Sequence, residues 1–82
     1  MLKAYVYVTL KKSVLDPQGK TVAKALETLG FNEVNDVRIG KYLVLTLDTN
    51  NQEVAKERVN EMCERLLANT VIEQYSFELK EE

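Results

Sequence analysis

Residues 33–48 read EVNDVRIGKYLVLTLD, and the way this run is divided decides the fold. It is too long for one ordinary strand, whose usual length is about 5–6 residues. Gly40-Lys41 is a Gly-X pair of the kind that opens a type II′ hairpin turn. Broken there, the run becomes two strands. Val37 and Ile39 share a face on the first, and Leu43, Leu45 and Leu47 share a face on the second. One long strand bent at Gly40 is the alternative.

Upstream of this run the pattern is helical. From Pro17 to Leu29, Val22, Ala25 or Leu26, and Leu29 recur at helical spacing. Asp16 stands where an N-cap is wanted, and Pro17 falls at the first helical position, where its missing N–H costs nothing. Gly30 supplies the left-handed residue of a Schellman stop, with Phe31 placed to pack back on Leu26. Ahead of the helix, residues 2–10 (LKAYVYVTL) alternate. Ala4, Val6, Val8 and Leu10 lie on one face, and Lys3, Tyr5, Tyr7 and Thr9 on the other, as in a strand.

Downstream, Asn50 with Glu53 three residues later resembles a capping box. A second helix is expected from there to about Ala68, with a stripe of Ala55, Val59, Met62 and Leu66 that Val54, Cys63 and Leu67 widen. Asn69 is expected to close it in a left-handed conformation. Residues 71–79 form a last strand, with Tyr75, Phe77 and Leu79 on one face. The order β-α-β-β-α-β is that of an α+β, ferredoxin-like two-layer sandwich: an antiparallel sheet with two helices on one face. No linker or composition break divides residues 1–82, so one domain is expected.

Helices over one face leave the other to be explained. It carries Tyr5, Tyr7, Tyr42, Val44 and Thr46, more apolar and aromatic than a surface meant only for water. Tyr5, Tyr7, Tyr42 and Val44 are therefore expected to line a contact between copies of the chain, a homodimer or higher homo-oligomer. Ordinary strand tyrosines, partly exposed, are the bland alternative, and base stacking on such a face is the competing use. The net charge of −2, the sequence pI near 5.2 and interspersed charges disfavour a nucleic-acid partner. No apolar run approaches a membrane span, and no signal-peptide layout opens the chain. A single cysteine suits a reducing cytoplasm.

Residues for chemistry are sparse. There is no histidine, which removes the commonest general base and transition-metal ligand. Cys63 lies on the apolar side of its helix and reads as core. Glu57, Glu61 and Glu64 alternate with Lys56, Arg58 and Arg65, the pattern of a solvated face. Gly19-Lys20-Thr21 has the ending of a phosphate-binding loop, but Val14 occupies the position of the first glycine that such a loop needs. Pro17 at the helix start also puts these three residues inside the first turn.

Three blocks, VLDPQGKTVAKALETLGF, VNDVRIGKYLVLTLD and EMCERLLANTVIEQYSFEL, taken in order, resemble the PurS family, the small subunit of phosphoribosylformylglycinamidine (FGAM) synthase in purine biosynthesis. The resemblance runs from about Ala4 to Glu78. Thr70 departs from it, where the family commonly has proline after Leu-Ala-Asn. It implies an accessory chain with no active site and no cofactor of its own. In that family PurS brings a PurQ-type glutaminase and a PurL-type synthetase together and helps ammonia pass between them, and it forms dimers. ATP and Mg²⁺ are implied for the synthetase. Asp16, Pro17, Gly19, Arg38, Gly40 and Lys41, which lie in the most recognisable blocks, are the candidate partner contacts. Hairpin glycine, helix start and plain surface charges are the bland reading of those same six. Outside the family, an ACT-like small-ligand regulatory module shares the topology.

Overall fold

The computed structural model describes residues 1–82. Its elements are β1 (Leu2–Leu10), α1 (Pro17–Thr28), β2 (Gly40–Leu47), α2 (Gln52–Met62) and β3 (Glu73–Glu81), with a single π-helical turn, Cys63–Leu67, continuing α2. The α+β class and the antiparallel sheet are as expected, and a ferredoxin-like arrangement is consistent with them. The order is β-α-β-α-β, however, with three strands rather than four.

β1 is the central strand, between β2 and β3, and both pairings are antiparallel. Its alternation becomes burial: Leu2, Ala4, Val6 and Val8 are sealed from water. Below them α2 lays Ala55 and Val59 and the π turn lays Cys63, and Leu43, Leu45, Leu47, Tyr75, Phe77 and Leu79 close around that core half-buried.

The strand expected over residues 37–39 does not form, because the Ile39 amide and the Arg38 side chain are engaged elsewhere. Ile39 N–H donates to Asp16 Oδ2 at 2.7 Å, and the Arg38 guanidinium donates to the carbonyls of Lys11 (2.9 Å) and Val14 (2.7 Å). These bonds tie the segment to the start of α1 instead of to a neighbouring strand. Gly40 is not a hairpin glycine either. It begins β2 opposite Thr9 without a positive φ, and a side chain there would strike the Val8 carbonyl. Close approach of two strands, not turn geometry, is what requires glycine.

The two helices do not share a face of the sheet. α1 contributes nothing to the core and projects beyond the sheet end where β1 finishes and β2 starts. Strands of about 30 Å and a helix of about 18 Å, end to end, account for the molecule's long dimension of 48 Å. The radius of gyration is 16.1 Å, against about 12 Å for a compact chain of this length. The cause is the same set of bonds. With residues 37–39 fixed at its base, α1 cannot fold back over the strands. Residues 11–39 form an arm.

The arm's ends match the sequence reading. Asp16 caps α1 through Gly19 N–H at 2.8 Å with Pro17 beside it. At the far end Gly30 has φ 98°, and the bonds Phe31 N–H to Leu26 O (2.9 Å) and Gly30 N–H to Glu27 O (3.0 Å) complete a Schellman motif. In α2 the cap is Asn51, which accepts from Glu53 and Val54, rather than Asn50. The π turn, closed by Ala68 N–H to Cys63 O, inserts an extra residue into the helical period. Leu67 thereby turns inward and the expected stripe member Leu66 outward, 82% exposed. Asn69 has no left-handed backbone. Ala68 is already extended, and Asn69 instead organises a turn, accepting from Val71 through its side chain and from Ile72 and Glu73 through its carbonyl. That turn takes Val71 and Ile72 out of the last strand, which starts at Glu73.

Gly19 packs against the Val37 carbonyl with no room for a methyl group. Gly19→Ala is therefore expected to destabilise the chain by about 1–3 kcal/mol, read as a lower urea midpoint with an unchanged slope.

Candidate interaction surfaces

Two surfaces hold the residues singled out in the sequence. The first is the sheet face turned away from α2. In the ladder Tyr5 stands opposite Val44 and Tyr7 opposite Tyr42, so four side chains from two strands form one patch. The Tyr7 and Tyr42 rings lie 5.2 Å apart, tilted by 32°, and Tyr5 and Tyr42 lie 6.3 Å apart and nearly parallel. Tyr42, Val44 and Tyr7 are exposed. The β3 half of the same face is polar, with Gln74, Ser76, Glu78 and Lys80. The face therefore has an aromatic half beside a hydrophilic one.

Tyr5 sits at their border and is held there by residues the sequence reading did not single out. Its hydroxyl bonds to Glu82, Lys80 Nζ lies 5.7 Å from its ring centre, and Lys3 pairs with Glu82 at 3.5 Å. The Glu82 hydrogen bond, then partial burial, push the Tyr5 hydroxyl up to about 12, while the same bond lowers Glu82. Charges near position 80 give no sequence signal, because their partners lie at the other end of the chain.

The second surface is the base of the arm, where the structure brings together the two sequence blocks that carry Asp16 and Lys41. Asp16 is buried, its two carboxylate oxygens accepting from Gly19 and Ile39. The Ile39 bond first, then the Gly19 bond, hold its carboxyl below the ordinary value of 3.8, with Arg38 adding in the same direction. Arg38 is half-buried on two carbonyls, and Gly19 and Gly40 are fixed by close backbone contacts. Pro17 and Lys41 face outward, and Lys41 Nζ stands 3.8 Å from Glu73. A cleft of about 220 Å³ opens between Asp16, Gln18, Gly40, Lys41 and Glu73. The N-terminal turn of α1 does not suit a nucleotide phosphate, since the negative Asp16 carboxylate sits there and already takes the Gly19 amide.

No three metal-ligating side chains converge anywhere. Burial raises the Cys63 thiol, and the residue lies wholly in the core. The Tyr75 hydroxyl joins β3 to α2 through Asn60 and to the π turn through Glu64, both at 2.7 Å.

The family model described as PurS, phosphoribosylformylglycinamidine (FGAM) synthase, matches residues 3–81. The chain belongs to the PurS family. It is 56% identical over 81 residues to phosphoribosylformylglycinamidine synthase subunit PurS of Bacillus subtilis, covering 99% of this chain and 95% of that one. The Methanocaldococcus jannaschii subunit is 45% identical, with 98% and 96% covered. Among solved structures, B. subtilis PurS superposes with a TM-score of 0.87 over 99% of this chain and all of its own. A chain of the PurLQS structure from Thermotoga maritima is 32% identical, with a TM-score of 0.85 over 98% and 99%. Agreement of that order over the whole length includes the arm, so its projection is shared by these PurS structures.

The Asp16 shift sets a pH dependence. A carboxyl with a lowered folded pKa contributes stability above its unfolded value and loses it as pH falls through the folded one. Wild type is therefore expected to lose stability below about pH 4 more steeply than Asp16→Asn, and to be the more stable of the two at pH 7. Urea midpoints from pH 2.5 to 7 check both points.

Proposed function

We propose that this chain is the accessory subunit of an FGAM synthase, joining a PurQ-type glutaminase to a PurL-type synthetase and helping ammonia pass between them in the cytoplasm. The full-length likeness to a chain of the PurLQS assembly carries this reading. The protein's shape agrees with it. A body 48 Å long with an aromatic sheet face and a pinned arm is suited to present surfaces. No helix is long and apolar enough to cross a membrane. Ammonia crossing between two active sites must be kept from bulk water and protonation, which a subunit achieves by sealing an interface. In this reading ATP and Mg²⁺ act on the synthetase.

Of the six candidate partner contacts, Lys41 and Pro17 are free to meet another protein. Asp16, Gly19, Arg38 and Gly40 shape the surface on which they stand. The open face, with Tyr5, Tyr7, Tyr42 and Val44, is assigned to contact between copies. Tyr42→Glu is expected to lower the mass in light scattering at micromolar concentration, and an unchanged mass refutes that assignment.

Glutamine-dependent amidine formation by the cognate synthetase and glutaminase, with and without this chain, tests the main reading. Activity is expected to depend on the chain, and equal rates in both mixtures would sink the accessory role. Lys41→Glu is expected to weaken assembly about tenfold, in line with loss of a charged interface contact, while its circular dichroism stays that of wild type.

A further inference from the structure

β3 is an edge strand, paired only with β1. In an antiparallel ladder, alternate residues turn both backbone groups toward the same neighbour. Lys11 N–H donates to the Ile72 carbonyl and Glu82 N–H to that of Met1. These pairs continue the β1–β3 register, and counted along it Gln74, Ser76, Glu78 and Lys80 bond to β1. Tyr75, Phe77 and Leu79 therefore aim their N–H and C=O groups out of the sheet. The Glu73 amide, next in the same series, is already taken by the Asn69 carbonyl. No proline or bulge interrupts the nine residues, so the edge is an open template for another strand.

The helix side of this edge is shaped to receive side chains. An open groove of about 540 Å³ lies between Glu53, Lys56, Glu57 and Asn60 of α2 and Phe77 of β3. The Tyr75 hydroxyl, bonded to Asn60 and Glu64, pins its two walls together. Glu53 and Glu57 are exposed and pair with no cation of the chain. They stand about 6 Å apart along the helix, and same-face residues of an extended strand stand about 6.6 Å apart. A strand laid on β3 thus sets every second side chain beside Phe77 and these carboxylates.

We infer that this edge takes an extended segment of a partner protein, with arginine or lysine at alternate positions, as a fourth strand beside β3. Main-chain bonds to Tyr75, Phe77 and Leu79 hold the segment. A basic side chain lays its apolar stem on Phe77 and carries its charge to Glu53 or Glu57. Charge disfavours a second copy of this chain in the same place. Two β3 strands paired about a two-fold axis at Phe77 set Glu73 opposite Glu81 and bring both carboxylate rims together. The same rim repels a nucleic acid. The inference deepens the accessory reading and rests on it for the source of the segment.

The test follows the backbone amides of the full-length chain by hydrogen exchange. The probe is a nine-residue peptide alternating arginine and threonine. It is expected to slow exchange at Tyr75, Phe77 and Leu79 at least about tenfold, and the assembly with the cognate synthetase and glutaminase to do the same. Unchanged exchange with the peptide overturns the inference, and so does unchanged exchange in an assembly that forms. If no assembly forms, the accessory reading fails and the peptide alone decides. Control peptides separate backbone pairing from charge. Glutamate in place of arginine, and N-methylation of whichever alternate set of amides faces β3, are each expected to weaken binding at least about tenfold. Equal binding by the glutamate peptide, or by both N-methylated sets, overturns the inference. Glu57→Lys is expected to weaken binding of the arginine peptide to the same degree with unchanged circular dichroism, and an unchanged affinity also overturns it. Should this variant misfold, the control peptides decide.

Discussion

One carboxylate organises this molecule. Asp16 ends the loop after β1, caps α1 through Gly19 and holds the amide of Ile39 just ahead of β2. A single buried side chain thus joins three segments, and Arg38 repeats the tie with two carbonyls of the β1–α1 loop. No buried side-chain nitrogen or oxygen in the molecule lacks a hydrogen-bond partner. The contacts at Gly19 and Gly40 belong to the same node, because both bring backbone against backbone where a methyl group does not fit. What this node fixes is direction. It sets the arm along the sheet's long axis and so determines which surfaces the subunit can offer.

Most of the architecture was legible in the sequence because it rests on local periodicity. The strict alternation of residues 2–10 marked the central strand, and Asp16, Pro17, Gly30 and Phe31 marked both ends of α1 through chemistry confined to one turn. Residues 33–39 were misread for the opposite reason. Val37 and Ile39 alternate like strand residues, but Ile39 and the Arg38 between them bond to groups more than twenty positions earlier in the chain, and periodicity carries no trace of that. Leu66 illustrates a smaller limit. A constant helical period places it in the core, and one π turn moves Leu67 there instead.

The residues proposed as sites divide along the same line. Tyr5, Tyr7, Tyr42 and Val44 were found together because a strand register follows from alternation. The six residues of the two turn motifs were found by resemblance, which marks positions without saying what they do. The structure gives four of them duties in shaping the backbone and leaves the side chains of Pro17 and Lys41 at the surface. Family membership across residues 3–81 is thus in part membership in a way of building the arm. Val22, Ala25 and Leu29 of α1 were the least legible: they recur at helical spacing as core residues do, yet all three are exposed, because the arm carries them away from the core.

The position of β1 carries a kinetic consequence. As the central strand it pairs with β2 and also with β3, whose register sets Leu2 opposite Glu81 and Leu10 opposite Glu73. Half of the sheet's ladder therefore joins residues at opposite ends of the sequence, and closing it means ordering everything between them. Topologies dominated by such distant contacts fold slowly, since loop closure is paid before the contacts form. The bonds that end α1, Gly19 to Asp16 and Phe31 to Leu26, are local and need no such closure, whereas those that fix the arm's direction span more than twenty residues.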